Sequence, residues 1–158
     1  MNLFLTNLLL AFLWGSSQGL GLDTLAFGFV LGMGVLRLGL PLYPRQAPYF
    51  RRVFGFIRFI AVFVRELVLS TVSVARVVLL QHPRDLYPNL LTLDTRGMSG
   101  FEVLMLSQCI TLTPGTCTVM VGPEKNWILV HALEGRDAQA VREGIESSLK
   151  EAILRFSR

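Results

Sequence analysis

The sequence predicts a two-part chain: a membrane-embedded helical front and a small α+β domain of order β-α-β-β-α behind it. Three observations point there. Hydrophobic residues make up 52% of the 158 and charged residues only 16%, against roughly 25% charged in ordinary soluble proteins. Residues 1–40 carry a single acid, Asp23, and a single base, Arg37, whereas residues 134–158 are dense in both signs. From residue 86 onward short β-branched runs alternate with amphipathic helical stretches, separated by Pro and Gly.

Residues 2–19, NLFLTNLLLAFLWGSSQG, are apolar with a polar end. As a helix they rise about 27 Å, close to the thickness of a hydrocarbon core. No Lys or Arg precedes them and a second apolar stretch follows at once, so a retained span is expected rather than a cleaved leader. Residues 22–40 supply the second span. Gly28, Gly32 and Gly39 share one helix face, and small residues there allow a neighbouring helix to approach closely. The loop at 15–23 has no basic residue, while Arg45, Arg51 and Arg52 follow the second span. The positive-inside bias then places both ends of this hairpin in the cytoplasm.

Residues 41–82 comprise a basic segment and a long amphipathic helix. Arg51, Arg58, Arg65 and Arg76 are spaced 7, 7 and 11 apart, so at 100° per residue they fall within an arc of about 40°. Glu66 and Ser73 border the stripe, and the rest of the surface is Phe, Ile, Val and Leu. Such a helix suits the cytoplasmic interface, with its arginines at lipid headgroups. A third span is the alternative, and it would have to shelter Arg65 and Glu66 from lipid.

Pro83 and Pro88 bias their neighbours toward extended backbone and mark the boundary of a domain at 86–158. Residues 89–95 read as a strand. Residues 99–112 read as a helix opened by a Ser99/Glu102 capping box. The runs 116–121 and 127–133, joined by Gly122-Pro123-Glu124-Lys125-Asn126, read as a hairpin. Asp137 opens a last helix whose buried stripe is Ala138, Val141, Ile145, Leu149, Ala152 and Phe156.

Net charge is +4, concentrated around the arginine stripe. Beside apolar spans this indicates membrane lipid as the partner rather than nucleic acid, for which no aromatic-glycine motif is present. Cys109, Cys117, His82 and His131 lack metal or disulfide-framework spacing. No phosphate loop or nucleophile–base pattern occurs, so neither a cofactor nor an enzymatic activity is expected.

The segment ITLTPGT at 110–116 is followed by VHALEG at 130–135, after an apolar hairpin and an arginine-rich helix carrying Arg65-Glu66-Leu67. Over nearly the whole chain this resembles the E-type subunit of the Mrp (Mnh) multisubunit Na⁺/H⁺ antiporter. The resemblance implies a bacterial plasma-membrane complex exchanging monovalent cations for protons, with other antiporter subunits as partners. It implies a non-catalytic role for this chain in assembly, stability and full antiport activity, and a cytoplasmic carboxy-terminal domain. Thr113, Pro114, Gly115, Thr116 and His131 match the family motif, and the resemblance makes them a structural or subunit-contact site. The competing reading is a membrane-tethered cytoplasmic module that senses a ligand or regulator.

Overall fold

A computed structural model describes residues 3–39, 47–80, 82 and 85–158. The basic segment at 41–46, with Arg45, lies outside the described residues. By packing, the chain divides into Met1–Arg51 and Arg52–Arg158.

The first unit is a helical hairpin, α1 (Leu3–Gln18) and α2 (Leu22–Gly39), joined through Gly19 at φ +95°. Thr24 fastens the turn, its hydroxyl donating to the Gly19 carbonyl at 2.7 Å and accepting from the Gly21 amide at 3.0 Å. The covered face of α1 is Asn7, Ala11 and Gly15, four residues apart and therefore on one side of the helix. Opposite them stand Leu25, Gly28 and Gly32 of α2. A Cβ on Gly28 would lie 3.0 Å from the Ala11 carbonyl oxygen, and one on Gly32 would lie 2.2 Å from Asn7 Oδ1. Two of the three glycines expected to share a packing face thus meet α1. Gly39 closes α2, and its surroundings lie outside the described residues.

The outer surface of this hairpin is made of Phe4, Leu8, Phe12, Phe27, Val30 and Leu38, all exposed. The sequence predicts two spans here, but among the described residues no helix is long and apolar enough to cross a membrane. The physical reason is length and end charge. α1 has 16 residues, about 24 Å of rise. α2 has Asp23 in its first turn and Arg37 in its last, which shortens its uncharged stretch.

Helix α3 (Ala47–Leu80) runs for 34 residues. Its first turn belongs with the hairpin: Tyr49 accepts a 2.8 Å hydrogen bond from Asn7 Nδ2, and the Arg37 guanidinium sits 5.4 Å from the centre of the Phe50 ring. The remainder belongs with the second unit. That unit continues as β1 (Asn89–Asp94), α4 (Gly100–Leu112), β2 (Thr116–Val121), β3 (Trp127–Ala132), α5 (Ala138–Ile145), a π-helical turn (Glu146–Lys150) and α6 (Glu151–Ser157).

The sheet order is β1-β3-β2, with both pairs antiparallel. β1 and β2 are therefore parallel to each other on either side of β3, and α4 is the crossover between them. β3 alternates half-buried and buried along its length. Ile128, Val130 and Ala132 turn inward, onto Leu91 and Leu93 of β1, Leu106 and Ile110 of α4, and Leu149 and Ile153 of the last helices. Each such side chain contributes on the order of 1.5–3 kcal/mol on burial. α3 adds Phe59, only 4% exposed, to the same core, with its ring 5.2 Å from that of Phe156.

Candidate functional site

The corner between α4 and β2 is built by its threonines. Thr113 ends α4 in extended geometry, as expected of a residue before proline. Its hydroxyl donates to the Cys109 carbonyl at 2.8 Å. Thr116 donates to the Ile110 carbonyl at 2.7 Å and the Thr113 carbonyl at 3.0 Å. Thr111 donates to the Ser107 carbonyl at 2.9 Å and accepts from the Thr118 amide at 3.2 Å. The threonine hydroxyls thus reinforce a helix end whose Cys109 and Ile110 carbonyls also accept from the Thr113 amide.

Gly115 takes φ +86°, and its carbonyl accepts from the Leu133 amide at 2.8 Å. A Cβ there would lie 2.9 Å from Val74 of α3. The Thr113-Pro114-Gly115-Thr116 corner is therefore also the place where α3 passes the sheet. Glycine serves it twice, by its backbone angle and by its lack of a side chain.

His131 lies one strand away from this corner. Its neighbours across the sheet are Cys117 on β2 and Leu90 on β1. Since even-numbered β3 residues fill the core, His131 stands on the opposite face with Trp127 and Leu129. β2 contains a bulge at Thr118–Met120. The Thr118 hydroxyl is held toward α4, donating to the Ser107 carbonyl at 3.1 Å. His131 and the Thr-Pro-Gly-Thr corner occupy one end of the sheet, but no hydrogen bond between them is present among the described residues.

Cys109 is buried, and burial pushes its thiol up to about 11. A thiol so rarely ionised is a poor nucleophile and a poor metal ligand at neutral pH. Among the described residues no group of three His, Cys, Asp or Glu side chains could hold a metal.

Sequence reasoning missed the buried carboxylate of the domain. Glu102 is 3% exposed. Its capping box is present, with the Ser99 amide donating to Oε2 at 2.6 Å. Ser157 also donates to Oε1, and Arg158 approaches it at 3.4 Å while donating to the Gly97 carbonyl at 2.7 Å. Burial pushes the Glu102 carboxyl up, but hydrogen bonds from Ser157, Ser99 and Arg158 outweigh it and hold it at about 2. Glu102 and Ser157 are 55 residues apart, so no local pattern could have revealed the pairing.

Arg58, Arg65 and Arg76 are exposed along α3, and Arg65 bridges to Glu66 at 2.7 Å. Arg51 is exposed on the first turns of the same helix. In the hairpin, Leu10, Trp14, Ser17, Gly28, Gly32 and Val35 line a groove of about 300 Å³.

Residues 7–156, almost the whole chain, match the family model MNHE, described as Na⁺/H⁺ ion antiporter subunit. The chain belongs to this antiporter-subunit family. It is similar to the E-type Na⁺/H⁺ antiporter subunit of Bacillus subtilis, at 32% identity over 159 aligned positions, covering 98% of this chain and 97% of that one. A chain of the Mrp complex from Dietzia sp. DQ12-45-1b is 32% identical over 63% of this chain and 93% of its own, at TM-score 0.48. A chain of the membrane-bound sulfane sulfur reductase, an archaeal respiratory membrane complex, shares the fold at TM-score 0.55 and 21% identity, with 95% and 98% of the two chains covered. The family resemblance read from ITLTPGT and VHALEG is thereby established. As an antiporter subunit the chain is a component of a transporter, and its partners are other subunits.

Proposed function

We propose that this chain is a non-catalytic accessory subunit of a multisubunit Na⁺/H⁺ antiporter in a bacterial plasma membrane, holding the complex together rather than conducting ions. The family match over residues 7–156 carries this reading.

Two features of the chain support it. α1 has no ionisable side chain, and α2 has only Asp23 and Arg37 at its ends. A proton or cation path through a membrane needs ionisable groups along it. The hairpin also reverses the usual burial pattern, with Asn, Ala and Gly covered and Phe, Leu and Val outward. In water such an exterior would aggregate. Among lipid chains it is the ordinary arrangement, since small residues suit helix contacts and large apolar ones suit lipid. This reading puts the hairpin in the membrane, its shortness matched by neighbouring subunits or local bilayer thinning.

In this reading the α+β domain is cytoplasmic, and Thr113, Pro114, Gly115, Thr116 and His131 mark its subunit-contact end. The experiment is deletion of the chain, read as Na⁺-driven proton movement in everted membrane vesicles, with re-expression as the control.

A further inference from the structure

We propose that α3 is an anionic-lipid-binding helix that lies on the bilayer surface and carries the α+β domain on its back. The inference rests on the membrane placement proposed above. Around α3, at 100° per residue, three faces can be told apart. One is covered by the domain: Gly55 meets the backbone of Phe156, Phe59 is in the core, and Val74 meets Gly115. A second face, roughly opposite, is aliphatic and exposed, with Ile57, Ile60, Val64, Val68 and Val72 each at least 42% accessible.

Arg58, Arg65 and Arg76 form the third face, along one edge of that aliphatic strip. Thr71, within the strip, satisfies its hydroxyl on the Leu67 carbonyl at 2.6 Å, so the strip presents no open polar group. A helix floating on a bilayer needs this cross-section: apolar side chains in the acyl boundary, basic groups at phosphate level, and whatever it carries on the water side.

Charge complementarity selects the occupant. The arginines keep one sign over about five turns, and the only carboxylate of α3, Glu66, already pairs with Arg65. A surface of acidic phospholipid headgroups answers such a row along its whole length. A spanning α3 is disfavoured because the domain occupies its surface from Gly55 to Val74.

The test uses the full chain in nanodiscs, in a Cys117→Ser background where the remaining Cys109 is buried. A fluorophore is attached at Val64→Cys or Val68→Cys, and quenching by nitroxide-bearing lipid is compared in phosphatidylglycerol and phosphatidylcholine discs. The expected result is stronger quenching in the anionic discs, weakened by salt. Each Arg→Gln change at 58, 65 or 76 should lower the ratio of bound to detached helix about fivefold, the equivalent of ~1 kcal/mol per basic residue. Arg→Lys should largely restore it.

Equal quenching in both discs, indifferent to the arginines, would overturn the proposal. So would fluorophores shielded from lipid and cross-linked to a neighbouring subunit in the assembled complex. Co-purification of the Arg→Gln variants with other subunits separates the two readings: loss of lipid preference with assembly retained is the outcome predicted here. Lipid preference in a chain that never associates with antiporter subunits would support the helix and remove the antiporter role.

Discussion

At Gly32 an added methyl group would collide with Asn7 Oδ1 at 2.2 Å, and Asn7 is fully buried. Gly32→Ala should therefore loosen the hairpin by about 1–3 kcal/mol, the usual cost of overpacking. Thermal unfolding of the chain in detergent measures it. Asn7→Ala in the same molecule should recover much of the loss, because the obstructing oxygen is gone. A Gly32→Ala chain as stable as the parent would mean that the helices do not pack as described.

Glu102 makes the stability of the domain depend on pH. Its folded pKa of about 2 lies below the ordinary carboxyl value of 4.5. The carboxylate therefore contributes stability fully above pH 4.5, and that contribution fades as pH falls toward 2. Glu102→Gln should cost about 1–2 kcal/mol at neutral pH, where charge-assisted hydrogen bonds become neutral ones. Unfolding of parent and variant should converge near pH 2. A gap that persists unchanged at that pH would assign the loss to packing instead.

Among the elements, those with local signatures were legible in the sequence. Pro-Gly punctuation and the Ser99/Glu102 spacing bracketed the strands and α4 to within a residue or two. The period of the arginines likewise revealed α3. Its covered side was not legible, because Phe59 and Phe63, which pack on the domain, have the same apolar character as Ile60 and Val64, which do not. Only tertiary contact distinguishes them.

The π-helical turn at Glu146–Lys150 escaped sequence reasoning for a related reason. Its Lys150 donates to the Asp94 carbonyl at 2.6 Å, a partner 56 residues away. The first helix was legible as well, with α1 ending at Gln18, one residue from the expected end at 19. For the α4–β2 corner, Pro114→Gly should leave the domain's unfolding midpoint nearly unchanged, because the threonines still hold the helix end. It should reduce recovery of the assembled complex. Equal loss of both would make the corner purely structural.

At the scale of the whole molecule, the chain combines a hairpin with lipid-compatible walls, a basic three-faced helix and a small α+β domain. The family it belongs to works as part of an antiporter, and the ionisable side chains of α1 and α2 are Asp23 and Arg37 at the two ends of α2. The complex is expected to depend on this chain without routing ions through it. Na⁺-driven proton movement in everted vesicles from cells lacking the chain tests it most directly, alongside vesicles from cells re-expressing the parent or Glu66→Gln. Deletion should abolish antiport, and both re-expressed chains should restore it with the same apparent Na⁺ affinity. Full antiport without the chain, or a changed Na⁺ affinity with Glu66→Gln, would contradict it.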